Sequence, residues 1–452
     1  MPTVSDWHGP CRAQLNALFL ASLHEAIISY AHAPHLEHTI AIWAVCLIAI
    51  VGVLARPFKV PEWIWALGGA TVIAAAQLLP IGGVLGAVAK GTDVYLFLTG
   101  MMLLAEMARR EGVFDWIASR AVRASGGSRT KLFTLIYAIG IVVTTVLSND
   151  ATAVVLTPAV AASVRAAKVK PLPYLFACAL IANAASFVLP ISNPANLVVF
   201  ARDIPPLAKW ISAFALPSLF SIALTYGVLF FLFRRDLAGD VEGEAEAKRL
   251  ELGGRITLFG IALTAVALVV SSGFGANLGT VTIIAGGLVY AVVALVDRGA
   301  AVPVLRSVSW TVLLLVAGLF VLVSAAEETG LLTWTKLAAN AVSRLPAPLA
   351  VAAAAFATGI GSNLMNNLPA GLIAGTTISG THVSEALRSA VAIGIDLGPN
   401  LSVTGSLATI LWLLALRREE IEIDAWRFLR VGALAMPVAL LFAVESLLLT
   451  TH

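Results

Sequence analysis

Four short stretches set polar side chains among residues that are otherwise apolar. "SNDATAVVLTPAV" (148–160) places Ser148, Asn149, Asp150 and Thr152 ahead of a Pro. "PISNPAN" (190–196) sets Ser192 and Asn193 between two prolines and Asn196 just beyond the second. "GSNLMNNLPAG" (361–371) supplies Asn366 and Asn367. "GIDLGPNLSVTGS" (394–406) combines Asp396, Asn400, Thr404 and Ser406 with three glycines. Amides and hydroxyls of this kind are neutral donors and acceptors, suited to hydrogen bonding. The two acids, Asp150 and Asp396, add titratable groups, and an acid deep in a membrane marks an ion or proton pathway by default.

Each stretch also reads as a helix break. Pro cannot continue a helix, and Ser, Asn and Asp are preferred where a new one begins. A new half-helix turns its free N–H groups and positive end toward whatever fills the break. Such breaks survive in a bilayer only where they are buried or line a wet cavity. The composition demands a bilayer. The 452 residues are 59% hydrophobic and 12% charged, about half the charged fraction of a soluble domain, and many runs are long enough to cross hydrocarbon. Cys11, Cys46 and Cys178 lie far apart in no metal-ligand spacing, so we expect apolar fillers and no metal site. There is no phosphate-binding GxxxxGK[ST] loop, no cofactor motif and no basic nucleic-acid domain.

The apolar blocks divide around a hydrophilic linker, 234–255. Seven precede it, at 38–55, 62–80, 93–108, 131–147, 151–167, 172–200 and 210–233. Seven follow, at 256–273, 278–296, 308–326, 346–362, 366–379, 385–416 and 427–450. "EGVFDW" (111–116) matches "TGLLTW" (329–334) at an offset of 218, an offset that Gly100 and Gly318 share. Asn149-Asp150 falls opposite Asn366-Asn367 at 217. The expected fold is therefore an all-α polytopic membrane protein made of two inverted-topology repeats. It has about 10 full spans, two re-entrant or hairpin pairs and two broken helices. The expected organisation is an amphipathic N-terminal extension (1–37), a first repeat (38–233), a cytoplasmic linker (234–255) and a second, inverted repeat (256–452). Residues 14–31 read as a surface helix and not as a signal peptide. Inversion puts 22 of the 29 Lys and Arg on one set of loops and seven on the other; the basic face is expected to be cytoplasmic.

"SNDATAVVLTPAV", "GSNLMNNLPAGLI" and above all "GIDLGPNLSVTGSLATILWLLAL" resemble bacterial arsenite efflux permeases of the ArsB type, in the ion transporter superfamily. The resemblance runs from about residue 38 to the C-terminus. It departs at "IANAASF" (181–187), where Asn183 stands at a position expected to be Asp. It implies a secondary transporter of the bacterial inner membrane, not an enzyme, that exports arsenite and antimonite against proton entry. In some members a separate cytoplasmic arsenite-stimulated ATPase is a partner. Arsenite near neutral pH is an uncharged trihydroxide. Ser148, Asn149, Thr152, Ser192, Asn193, Asn196, Asn366, Asn367, Asn400, Thr404 and Ser406 suit such a solute, and a three-thiolate site cannot be built from the three Cys. Asp150 and Asp396 are the proton-coupling candidates.

Two other activities use the same residues. A sodium/proton antiporter or a sodium-coupled anion carrier would ligate sodium with Asp, Asn and carbonyls. Asp150 beside an anionic substrate is unfavourable, which weighs against the anion carrier. An intramembrane aspartyl hydrolase would need Asp150 and Asp396 as a dyad, and gives the duplication no role.

Overall fold

The computed structural model describes residues 36–200, 204–243, 249–297, 299 and 301–450. The surface helix expected over 14–31 lies outside them. Among the described residues all regular structure is helical. The first half contains α1 (Leu36–Ala55), α2 (Glu62–Ala75), α3 (Ile81–Lys90), α4 (Thr92–Arg110), α5 (Val113–Ala124) and α6 (Arg129–Val146). Then comes α7, a run over 149–166 interrupted by a π-helical turn at Thr152–Leu156. α8 (Leu172–Ala184), α9 (Pro194–Phe200) and α10 (Leu207–Leu237) complete it. The second half repeats the order as α11 (Leu252–Gly273), α12 (Leu278–Val296), α13 (Ala301–Ser307), α14 (Thr311–Glu328) and α15 (Leu331–Ser343). It ends with α16 (Ala347–Met365), α17 (Asn367–Ser379), α18 (Glu385–Leu397), α19 (Leu407–Arg418) and α20 (Ala425–Leu447).

Contacts between the halves are reciprocal. α4 packs on α12 while its counterpart α14 packs on α2; α9 meets α17 while α19 meets α7; α10 and α20 pack on each other. Glycine makes the first two crossings close. A methyl added at Gly100 would stand 2.4 Å from the Thr282 carbonyl oxygen, and one at Gly318 would stand 2.6 Å from the Ala66 backbone. In a bilayer, where lipid is as apolar as Leu, such close backbone approach is what holds helices together.

The two hairpins open on opposite faces. Both ends of the α6–α7 hairpin touch the linker: Arg129 Nε donates to the Asp240 carbonyl at 2.7 Å, and Gly243 N donates to the Ala167 carbonyl at 3.1 Å. The same face collects Arg165 with Glu419 (2.9 Å), Lys170 with Asp236 (2.6 Å), and Arg110 donating to the Gly299 carbonyl at 3.1 Å. The α16–α17 hairpin instead meets α15, where Thr377 donates to Thr335 at 2.7 Å. α14, 18 residues long and so about 27 Å, joins the Arg110 face to the α15 face, where Glu327 pairs with Lys90 at 3.6 Å. The second half is thus inverted relative to the first.

Three expectations are revised. Eight described helices are long and apolar enough to span, or nine when α3 and α4, bent by 45°, count as one. Leaving out the hairpin arms α6 and α16, and counting short α2 and the broken pairs α8–α9 and α18–α19, gives ten crossings. The linker is shorter than 234–255. α10 continues to Leu237, its last turn holding Arg234 and Arg235 where cations favour the helix end, and α11 begins at Leu252. The hairpin register is 218, not 217. Ser148 and Asn366 are the equivalent N-caps, so Asn149 mirrors Asn367 and Asp150 has no acidic mate.

Candidate functional site

Each hairpin turns at a capped break. Ser148 ends α6 and its Oγ accepts from Ala151 N at 3.2 Å. Thr152 reaches back to Thr144, hydroxyl to hydroxyl, at 2.8 Å. Pro158 lacks an N–H for the α-helical ladder, and the backbone widens into the π turn just before it, where Thr157 Oγ1 donates to the Thr152 carbonyl at 3.1 Å. In the other hairpin Asn366 holds φ 77° and its side chain accepts from Leu368 N at 3.3 Å. With ψ 152° this lies outside the left-handed helical region and close to one that glycine alone adopts freely, so the tip is strained. Asn366→Ala is expected to lower stability by about 2 kcal/mol, through the cap and the strained backbone. Asn366→Gly is expected to lose only a few tenths. Melting of the purified protein in detergent checks the difference.

The unwound segments lean on these tips. Ser192 Oγ donates to the Thr145 carbonyl at 3.1 Å and accepts from Leu189 N at 3.1 Å. On the other side Ser402 Oγ donates to Asn363 Oδ1 at 2.6 Å, Thr404 Oγ1 to the Asn363 carbonyl at 3.0 Å, and Asn367 N to the Gly405 carbonyl at 2.9 Å.

Where α8 meets α18, a sealed polar network forms. Asn183 Nδ2 donates to Asn400 Oδ1 at 3.0 Å, and Asn400 Nδ2 donates to the Leu180 carbonyl at 3.0 Å. Ser406 Oγ donates to Asn183 Oδ1 at 3.3 Å and caps α19 by accepting from Thr409 N at 3.1 Å. Asn193 Nδ2 donates to Asp396 Oδ1 at 2.8 Å, and Asn196 Nδ2 donates to the Ser186 carbonyl at 2.9 Å. Every side chain in this network is buried. Asp396 Oδ2 has no hydrogen-bond partner among the described residues.

Asp150 is placed differently. With Ser148 it lines a cavity of about 70 Å³, between α4, the α7 tip, and the segment around Ser307 and Ser309. Its backbone N donates to Asn149 Oδ1 at 2.9 Å, but its carboxylate makes no hydrogen bond or ion pair among the described residues. Glu106 lines the same cavity and is held by Arg109 Nε at 2.9 Å. No lining residue is basic. Such a cavity has room for a few waters or one small solute.

The sequence candidates therefore fall into groups. Ser148 and Asp150 face the cavity, with Asn149 and Thr152 buried behind them. Asn193, Asn196, Asn400, Ser406 and Asp396 form the sealed network. Ser192 and Thr404 brace the hairpins, and Asn366 and Asn367 form the second tip. Glu106 was not singled out from the sequence. It continues the stripe of Phe97, Leu98, Met101, Met102 and Ala105 along α4, a spacing visible in the sequence. Ser186 and Thr409 were also passed over, although Thr409 sits three residues past Ser406, where a cap donates its support. Cys46 and Cys178 are buried and free.

The comparisons agree with the resemblance read from the sequence. The family described as citrate transporter matches residues 40–395. An arsenical pump membrane protein of Yersinia enterocolitica is 27% identical over 367 residues, covering 77% of this chain and 84% of that protein. One of Escherichia coli is 26% identical over 423 residues, covering 90% and 97%. Among solved structures, the Alcanivorax borkumensis YdaH transporter, described as having an unusual topology, matches with a TM-score of 0.56 at 15% identity. That match covers 91% of this chain and 97% of that one, and at this identity it is a likeness of fold.

Proposed function

For this chain, which belongs to the citrate transporter family and is a multi-pass membrane transporter, we propose export of arsenite and antimonite from the cytoplasm in exchange for protons. One observation carries the choice of solute. The cavity at the first hairpin tip holds the unpartnered Asp150 carboxylate, a second acid in Glu106, and no basic side chain. Glu106 is already paired with Arg109, so a citrate anion brought there would meet the Asp150 charge with no lining cation to offset it, which is costly away from water. A neutral trihydroxide offers three O–H donors to a carboxylate and to Ser148. The relatives named as arsenical pump membrane proteins support the same solute.

Exchange follows from one carboxylate serving two ligands. Ionised Asp150 accepts hydrogen bonds from the solute through both oxygens; protonated Asp150 loses its charge and part of that capacity and presents a donor to the solute's O–H groups. Solute and proton then occupy the tip in alternate phases, and the two inverted repeats supply the alternation of access. The face carrying the linker and the basic loops is the cytoplasmic one by the charge rule, in the inner membrane of a bacterium. An arsenite-stimulated ATPase would dock on that face. Asp396, buried against Asn193, is the second proton candidate.

Everted vesicles with an acid interior test the proposal. Arsenite and antimonite are expected to accumulate, independently of sodium and without ATP. Accumulation of sodium or citrate in place of arsenite would overturn it, the first in favour of a cation antiporter and the second in favour of an anion carrier. A requirement for ATP would point to the ATPase as an obligatory partner.

A further inference from the structure

α8 and α18 are both 13 residues long and start at 172 and 385, 213 residues apart. α9 and α19 start at 194 and 407, with the same separation. Asn183 and Asp396 are therefore structural mates, as are Asn193 and Ser406, and Asn196 and Thr409. The contacts obey this mapping across the halves. Asn193, from the first half, donates to Asp396 at 2.8 Å; Ser406, from the second, donates to Asn183 at 3.3 Å. Thr409 Oγ1 lies 3.4 Å from Asn183 Nδ2. The fold has built one site twice, with an acid in one copy and an amide in the other.

Hydrogen-bond accounting shows what the amide does. Asn400 is fixed in orientation, because its Nδ2 donates to the Leu180 carbonyl. Its Oδ1 therefore faces Asn183 and requires a donor there. Ser406 Oγ offers a hydrogen bond to the same side chain at 3.3 Å, with Thr409 Oγ1 as its alternative partner at 2.9 Å. An amide satisfies both contacts, and so does a neutral carboxylic acid of the same shape. An ionised carboxylate does not, since it would set two acceptors face to face, fully buried. Asp396 is under no such demand. One of its oxygens accepts from Asn193 and the other has no partner among the described residues, so it can hold a proton or release it.

We propose that Asn183 is a fixed-proton replacement for an acid at the site that mirrors Asp396, so that only one of the two mirrored sites loads and unloads a proton in each cycle. This rests on Asp396 taking part in the proton coupling proposed above. Other titratable groups around Asn183 are occupied elsewhere. Asp150 of α7 lines the cavity, and Tyr137 of α6 donates to the Ile222 carbonyl at 2.7 Å. Cys178, on α8 itself, is a buried free thiol. The Lys and Arg of the surrounding helices sit toward their ends.

The test is Asn183→Asp, purified and reconstituted in liposomes with the membrane potential clamped at zero. The introduced carboxyl can release its proton only in a phase of the cycle that opens the Asn183–Asn400 contact, and one additional proton per cycle is then expected to raise the steady-state arsenite gradient about tenfold per unit of pH difference. The melting temperature, read without any transport, should match the wild type at mildly acid pH. It should fall below the wild type as pH rises, because the introduced carboxyl fits only when neutral. Asn183→Leu should melt lower by the same amount at every pH. A wild-type gradient in Asn183→Asp, a melting offset that is flat with pH, or failure to fold even in acid would each overturn the proposal. If the wild type itself builds no gradient under a pH difference, the transport reading fails, and the melting comparison still decides the role of Asn183.

Discussion

Asp150→Asn is expected to leave arsenite flux across everted vesicles indifferent to a pH gradient. The wild type should concentrate the solute about tenfold per pH unit for each proton exchanged, and the variant should only equilibrate it. The substitution separates coupling from folding because Asp150 is not the residue that caps α7. Ser148 accepts from Ala151 N, so the half-helix keeps its start when the carboxylate is removed. An Asn side chain has nearly the same size and leaves the cavity its shape. It still offers an acceptor to the solute and no longer takes a proton at any working pH. Asp150→Glu should retain pH-driven transport at a reduced rate. Undiminished pH-driven accumulation by Asp150→Asn would remove Asp150 from the coupling and leave Asp396 to be tested by the same substitution.

Gly100→Val is expected to prevent accumulation of folded protein in the membrane. The nearest atoms to an added Cβ are backbone, the Thr282 carbonyl at 2.4 Å and Ile283 N at 2.8 Å, and backbone cannot turn aside as a side chain can. α4 and α12 would have to separate by about 1 Å or more, along a crossing where a methyl added at Gly286 would likewise stand 2.7 Å from the Gly100 carbonyl oxygen. Overpacking of this kind typically costs about 1–3 kcal/mol and occasionally more. The upper end applies here because the contact joins the two halves and close packing is the main attraction between helices in lipid. Gly318→Val should behave alike, against the Ala66 backbone. Gly287→Val is the control, since nothing lies within 4 Å of its added Cβ although it neighbours Gly286. Size-exclusion profiles and melting in detergent read all three; equal behaviour of Gly100→Val and Gly287→Val would refute the interlock.

The same glycines show why part of the architecture was legible beforehand. Gly100 and Gly318 keep their offset because each sits at the one point where its helix crosses a helix of the other half. Gly112 and Gly330 keep theirs because both hold positive φ, 70° and 85°, ahead of an amphipathic helix. Geometry that only glycine satisfies leaves a mark in a bare sequence. The hairpin tips were misaligned by one residue because amides were matched with amides, whereas the structure matches the caps Ser148 and Asn366. The change of offset to 213 was hidden altogether. It arises because the run 149–166, with its π turn, is five residues longer than α17, and nothing in apolar periodicity fixes where a helix arm stops. The α8–α18 network could not be read either. It depends on a crossing of elements two hundred residues apart, so Asn183 looked like a departure from a pattern and not like the mate of Asp396. The acids themselves were plain, because a carboxylate amid so much hydrocarbon is rare enough to announce itself.

Among the described residues, the strap over 238–243 binds the first hairpin and not the second. It is stitched to Arg129 and Ala167 at the root of the first, while the root of the second rests on α15. A machine built from two identical halves would dwell equally long open to either side. Here any movement of the first hairpin must carry this tether along or break its bonds, a load that the second hairpin does not bear among the described residues.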